Sequence, residues 1–165
     1  MLRSCLLSLC CVIGLWAQSA SAELSIEGPC AQDYRWTATM INQGGGGIAT
    51  YNECFPSGDL FYMQCAPGGG AVEITIEFPF AGLGAQDALT AELVAGSNRL
   101  PLQGSAIYSE MLGAAFPVFT ASRNDPIFAA LRSESSASIT LGQTTFSMHL
   151  AGSSDIITAM FEACP

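Results

Sequence analysis

The sequence predicts a mainly β protein: an antiparallel β-sandwich or barrel with two short helices. Apolar and polar residues alternate along many short segments, most clearly over 71–80, which is the period of a strand with one buried face. Glycine, serine and proline separate these segments, as they do in turns between strands. Two later segments have helical spacing instead, one near 126–132 and one near 154–163.

The first 22 residues have the pattern of a secretory signal peptide. Arg3 precedes an apolar run over 6–17, and Ala20-Ser21-Ala22 supplies a small-residue cleavage site. The apolar run is shorter than the ~20 residues that span a bilayer, which disfavours the alternative of a membrane anchor. We therefore expect a periplasmic or secreted protein without a transmembrane segment after cleavage. Its mature part, residues 23–165, should form a single disulfide-stabilised β-rich domain.

Four of the seven cysteines follow the predicted leader: Cys30, Cys54, Cys65 and Cys164. An even number in an exported chain predicts two disulfides, whereas a zinc site is disfavoured because no CxxC spacing occurs. A tight turn over 56–59 would leave Cys65 ~13 Å beyond the position opposite Cys54, at ~3.3 Å per residue. A bridge needs Cα atoms within about 7 Å, which disfavours Cys54–Cys65. Cys30 precedes the first long strand at the end where its antiparallel partner delivers Cys54, so we predict the pairs Cys30–Cys54 and Cys65–Cys164.

Alternation and turn residues predict strands along most of the chain. In the first half, the turn residues include four glycines, 44–47, which lack the lysine of a phosphate-binding loop. Pro101 and Pro117 predict edge positions, because proline cannot donate to a β-ladder. The predicted strands cover 23–28, 33–41, 48–54, 60–65, 71–80, 88–95, 99–102, 106–111, 114–121, 138–141 and 144–150.

The two helices are predicted from their start signals. Asp125 followed by Pro126 is a cap with proline at the first helical position, which begins the helix near 126–132. Gly152-Ser153-Ser154-Asp155 precedes an apolar stripe and begins the C-terminal helix near 154–163.

His149 is the only histidine, so it is the first residue to test for catalysis. A triad could be drawn from His149, Ser153 or Ser154, and Asp155. The serines, however, have the positions of helix caps, and no G-x-S-x-G motif occurs. We predict no catalytic residue.

Paired carboxylates and metal ligands give no stronger candidate. Glu73 and Glu77 lie on the same side of one predicted strand, ~13 Å apart, which is wider than the ~5–9.5 Å of glycosidase pairs. The sequence therefore predicts no cofactor and no metal centre, although a calcium site built from scattered acids stays open.

The chain is strongly acidic and contains no lysine. Its formal net charge is -9, and removal of Arg3 with the leader makes it one unit more negative. Such a surface repels phosphate backbones, which argues against nucleic acid and anionic lipid as partners. A protein or envelope component, including a cationic one, is the expected partner.

Two segments near the C-terminus, 125–131 and 146–152, resemble the C-terminal part of invasion-associated locus B proteins. The likeness consists of a short helix ending in leucine, a strand ending in a leucine-x-glycine step, and a final helix. It implies a periplasmic β-rich protein without established enzymatic residues. Segments 61–65 and 104–108 are in turn similar to parts of the c-type lysozyme inhibitors, which are small exported β domains.

Together these observations predict an exported, non-enzymatic binding domain associated with the cell envelope. One alternative is a proteinaceous inhibitor of a cationic hydrolase such as lysozyme. Another is a hydrolase that uses His149 and nearby carboxylates.

Overall fold

The computed structural model describes residues 24–41, 46–55, 58–65, 69–78, 80, 82–110 and 113–164. The predicted leader, residues 1–22, lies outside them. Within these ranges the chain forms ten strands and two helices. The strands are β1 Leu24–Glu27, β2 Tyr34–Ile41, β3 Gly46–Glu53, β4 Asp59–Cys65, β5 Ala71–Ile76, β6 Ala88–Ala95, β7 Asn98–Ser109, β8 Ala114–Ser122, β9 Ser136–Leu141 and β10 Thr144–His149. The helices are α1 Pro126–Ser133 and α2 Ser153–Ala163.

All ten strands belong to one antiparallel sheet in the order β1-β2-β3-β4-β5-β8-β7-β6-β9-β10. The sheet curls into a half-barrel. This confirms the predicted mainly β, antiparallel class with two short helices. The architecture is a single curled sheet with two free edges, β1 and β10.

Side chains tie the two ends of the sheet together across the inside of the curl. The Trp36 Nε1–H of β2 donates to the carbonyl of His149 at the end of β10, at 2.8 Å, and the His149 N–H donates to the Tyr51 hydroxyl at 3.2 Å. The ring of Phe146 also packs against those of Tyr51 and Phe61, with centroids 6.4 and 6.5 Å apart. These contacts hold β10 over β2, β3 and β4.

The helices cover the inner face of the sheet. α2 packs across β2 and β3, where Gly47 lets it approach, because a Cβ there would lie 2.7 Å from the Met160 carbonyl. The buried Ser153 hydroxyl contacts the carbonyls of Leu131 and Leu150, at 2.6 and 2.8 Å, and so links α2 to the end of α1. The largest fully buried side chains are those of Trp36, Phe61, Phe119, Met63, Ile74, Ile76, Leu93, Ile127, Leu131, Ile139, Met148 and Ile156.

Both helices begin at the predicted signals, but only α1 has a side-chain cap. The Asp125 carboxylate accepts from the Ile127 N–H at 3.1 Å, as expected for a cap followed by proline. α2 begins at Ser153, one residue earlier than predicted, and its N-cap is Gly152, with φ 84° and no side-chain cap. Ser153 therefore does not act as the cap that its position suggested.

The separate strands predicted over 99–102 and 106–111 are one strand, β7, and this prediction was wrong. Gly104 lies in the middle of β7, between the two strands that the sequence predicts. The structure gives it another role, because a Cβ at Gly104 would lie 2.0 Å from the Val118 carbonyl. The glycine thus permits close contact between β7 and β8 rather than ending a strand.

The edge positions predicted for Pro101 and Pro117 need a similar correction, since β7 and β8 are both interior strands. Each proline nevertheless lies where its strand has one neighbour. β7 pairs with β8 only from Gly104 onward, and β8 pairs with β5 only from Val118 onward. The missing N–H groups are tolerated because the ladder is incomplete at both positions.

The strand predicted over 71–80 is also shorter in the structure, because β5 ends at Ile76. Beyond it, Phe78 packs against Phe80 and Phe146, with ring centroids 5.7 and 5.5 Å apart. The end of the apolar alternation therefore belongs to a loop that fills the core.

Candidate interaction site

The four cysteines of the described chain lie in two pairs that match the predicted ones. The Cα atoms of Cys30 and Cys54 are 6.3 Å apart, and those of Cys65 and Cys164 are 6.0 Å apart. The second pair joins β4 to the end of α2. The first pair joins two loops at one end of the sheet.

The first of these loops is a tight hairpin turn between Cys30 and β2. Ala31 and Tyr34 exchange both backbone hydrogen bonds, at 2.7 and 3.1 Å. Gln32 and Asp33 lie between them with φ of 52° and 68°, a conformation that few residues other than glycine adopt. Two successive positive φ angles are the mark of a type I′ hairpin turn.

The second loop follows β3 and is fastened to the first. The Cys54 N–H donates to the Asp33 carbonyl at 2.8 Å, in addition to the disulfide from Cys54 to Cys30. The Glu53 N–H donates to the Gly58 carbonyl at 3.2 Å. We call residues 30–34 and 53–55 the stapled tip.

Phe55 projects from the stapled tip. Its side chain is 89% exposed, more than that of any other large apolar residue in the described chain. Leu24, Ile26, Ile107 and Tyr108 are the other exposed ones, at 37 to 58%. A fully solvated phenyl ring on a fastened loop is costly to keep in water, and large exposed apolar groups often mark interaction sites.

The charges beside Phe55 are negative. Asp33 is exposed, and Glu53 is half-buried. Arg35, the nearest arginine in the sequence, pairs with Glu27 instead. In the described part of the chain, no ion pair neutralises Asp33 or Glu53.

Within the residues it describes, the structure shows no link between His149 and the serine and aspartate residues from which a triad could be drawn. His149 lies at the end of β10, opposite Ser136 of β9, beside a shallow depression of about 390 Å³ that Ser138 and Ser147 also line. Ser153 is buried and bonds to backbone carbonyls. Among the described residues, no hydrogen bond joins the His149 imidazole to a serine or a carboxylate.

Two arginines outside the tip make structural contacts. The Arg123 guanidinium donates to the carbonyls of Phe161 and Cys164, both at 2.7 Å, and so satisfies the end of α2. Arg99 pairs with Glu92 at 2.9 Å. Glu73 is exposed on β5, and the described residues contain no group of three potential ligands that could hold a metal ion.

The stapled tip was not among the candidate sites predicted from the sequence. The signal was an aromatic residue directly after a cysteine and directly before a strong turn, Pro56-Ser57-Gly58-Asp59. Aromatic residues in such a position are usually taken as core residues of a strand end.

Comparison with protein-family models, with curated proteins and with solved structures finds no match for this chain. No helix in the described ranges combines the length and apolar character needed to cross a membrane.

Proposed function

We propose that this protein is an exported, non-enzymatic binding domain of the cell envelope that contacts a protein partner through the stapled tip. The observation that carries the proposal is the exposure of Phe55 on a loop held by a disulfide and a backbone hydrogen bond. The two cysteine pairs are consistent with the oxidising compartments in which disulfides persist.

A binding role suits both the chemistry and the rigidity of the tip. Burying a phenylalanine side chain contributes about 1.5–3 kcal/mol, so Phe55 can anchor an interface. Because both the backbone and the side chain of Cys54 are fastened, little conformational entropy remains to be lost at Cys54 on binding. Large aromatic anchors in ordered surroundings dominate the energy of many protein interfaces.

The test compares two variants that each remove one exposed apolar side chain. Residues 23–165, wild type or Phe55→Ser, are immobilised and exposed to an envelope extract, and the retained proteins are identified and quantified by mass spectrometry. Ile107→Ser is the matched control, since Ile107 is 53% exposed on β7, away from the tip. We expect Phe55→Ser to lose a partner that Ile107→Ser keeps.

Equal capture by all three proteins would contradict the proposal. So would robust turnover in a broad hydrolase screen that His149→Ala abolishes, since that result would favour a hydrolase using His149. The cross-strand pairing of His149 with Ser136 is the observation that makes this screen worthwhile.

The second candidate function is inhibition of a cationic hydrolase such as lysozyme. It is favoured by the formal net charge of -9 in a chain without lysine, because opposite charge accelerates association. A lysozyme assay at low salt tests it. Absence of inhibition at micromolar concentrations of this protein eliminates lysozyme as its target.

A further inference from the structure

We infer that the partner of the stapled tip presents an apolar pocket bordered by arginine or lysine side chains. The inference rests on the proposed function and adds the chemistry of the partner surface. It depends on the combination of one aromatic anchor with carboxylates that lack a counter-charge within the described chain.

The charge at the stapled tip is the first constraint on the partner surface. Asp33 lies in the turn that accepts the Cys54 N–H, and Glu53 lies two residues before Phe55. Arg35, the nearest arginine in the sequence, pairs with Glu27. A partner that buries Phe55 must therefore approach uncompensated negative charge, and the net charge of -9 adds to the local field.

The shape of the stapled tip is the second constraint on the partner surface. Phe55 is 89% exposed, so its side chain projects into solvent as a convex feature. A convex aromatic residue gains most when a pocket encloses it, because burial in a packed and desolvated pocket is what makes an anchor energetically dominant. A flat partner would cover only part of the ring.

The charge and the shape of the stapled tip together define the partner surface. A wholly apolar pocket would desolvate Asp33 and Glu53 without replacing their hydration, which is unfavourable. An acidic surface, an anionic membrane or a nucleic acid would repel them. A pocket with a cationic rim satisfies both the ring and the carboxylates, and guanidinium groups suit this role because they pair with carboxylates in a bidentate way.

The experiment uses three labelled synthetic peptides of equal length as probes: one alternating arginine with leucine, one alternating arginine with serine, and one alternating glutamate with leucine. Fluorescence anisotropy measures their binding to residues 23–165 at two salt concentrations. We expect the arginine–leucine peptide to bind most tightly, with affinity that falls as salt rises, because the charges at the tip are exposed to screening.

Three variants then locate the binding. Phe55→Ser should weaken binding of the arginine–leucine peptide by about tenfold or more, as expected for an anchor residue. Asp33→Asn with Glu53→Gln should weaken it by roughly threefold or more and reduce its salt dependence. Glu73→Gln with Glu162→Gln removes the same amount of charge from exposed positions on β5 and α2 and should leave binding nearly unchanged.

Three results would overturn the inference: tight binding of the glutamate–leucine peptide, equal losses in the two double variants, or undiminished binding by Phe55→Ser. Thermal unfolding of each variant verifies that it is folded. If these results occur while Phe55→Ser still loses its partner in the envelope extract, the partner chemistry is wrong and the binding role of the tip stands.

Discussion

Gly104 is a residue at which β7 and β8 approach closely. A Cβ there would lie 2.0 Å from the Val118 carbonyl and 2.8 Å from the Phe119 Cα, and both are backbone atoms that cannot rotate away. We expect Gly104→Ala to lower the free energy of unfolding by roughly 1–3 kcal/mol, as overpacking does. Urea unfolding at equilibrium measures the change.

Gly58→Ala is the control for this substitution, because a Cβ at Gly58 would meet no atom within 4 Å. It should change stability little. An equal stability for Gly104→Ala and wild type would show that β7 and β8 can move apart at low cost.

Tyr51 makes the stability of the folded protein depend on pH in the alkaline range. Burial raises the pKa of its hydroxyl above the usual value of about 10, the hydrogen bond from the His149 N–H lowers it, and nearby Tyr34 raises it further. The folded state therefore keeps the Tyr51 proton at a pH at which the unfolded state has lost it. This contribution to stability is complete below pH ~10 and is lost as the pH rises through the raised pKa.

Two measurements check this at Tyr51. Tyrosinate absorbance should show one of the four tyrosines ionising later than the others in the folded protein. The stability of Tyr51→Phe should fall less steeply above pH ~10 than that of wild type. Simultaneous ionisation of all four tyrosines would contradict the prediction.

At the scale of elements, the two disulfides differ in access to solvent. Cys30 is exposed, whereas Cys65 and Cys164 are buried at 2 and 4% exposure. Thiol–disulfide exchange requires contact between the attacking thiolate and a sulfur atom. We therefore expect a mild dithiol reductant to open Cys30–Cys54 first, releasing the stapled tip while α2 stays attached to β4.

Timed alkylation followed by peptide mass spectrometry measures this order. Cys30 and Cys54 should be labelled before the other pair, and far-UV circular dichroism should change little at that stage. Labelling of Cys65 and Cys164 at the same rate would mean that the end of α2 opens readily.

Local signals explain which elements could be predicted from the sequence. The β9–β10 hairpin was predictable because Gly142 takes φ 60° at the first position of a two-residue turn. The cysteine pairing followed from the turn after Cys54 together with the antiparallel pairing that brings Cys54 to Cys30. The continuity of β7 was not predictable, because it depends on the neighbouring strand β8. Pro101 is acceptable because β8 does not pair with it, and Gly104 is needed because β8 lies close to it.

For the whole molecule, the contact between Trp36 and His149 joins the two ends of the curled sheet. These residues are 113 positions apart, and their hydrogen bond joins opposite ends of the sheet. The curl was therefore hidden from local pattern analysis, which distinguishes strand faces and not the path of a sheet. The stapled tip was hidden for a related reason, since the exposure of Phe55 depends on two loops distant in sequence.

The same contact predicts cooperative unfolding. Trp36 is the only tryptophan outside the predicted leader, so its fluorescence reports on the junction between β2 and β10. Because one core joins both ends of the sheet, we expect fluorescence and far-UV circular dichroism to follow the same denaturant transition. An earlier transition in fluorescence would mean that the half-barrel uncurls before its strands separate.

The bridge between Cys65 and Cys164 also has a consequence for how the protein is made. The two cysteines are 99 positions apart, and β5 to β10 and both helices lie between them. A ribosome must synthesise all of that sequence before the second sulfur exists. Oxidation at this site therefore cannot precede synthesis of the six strands and two helices between the two cysteines.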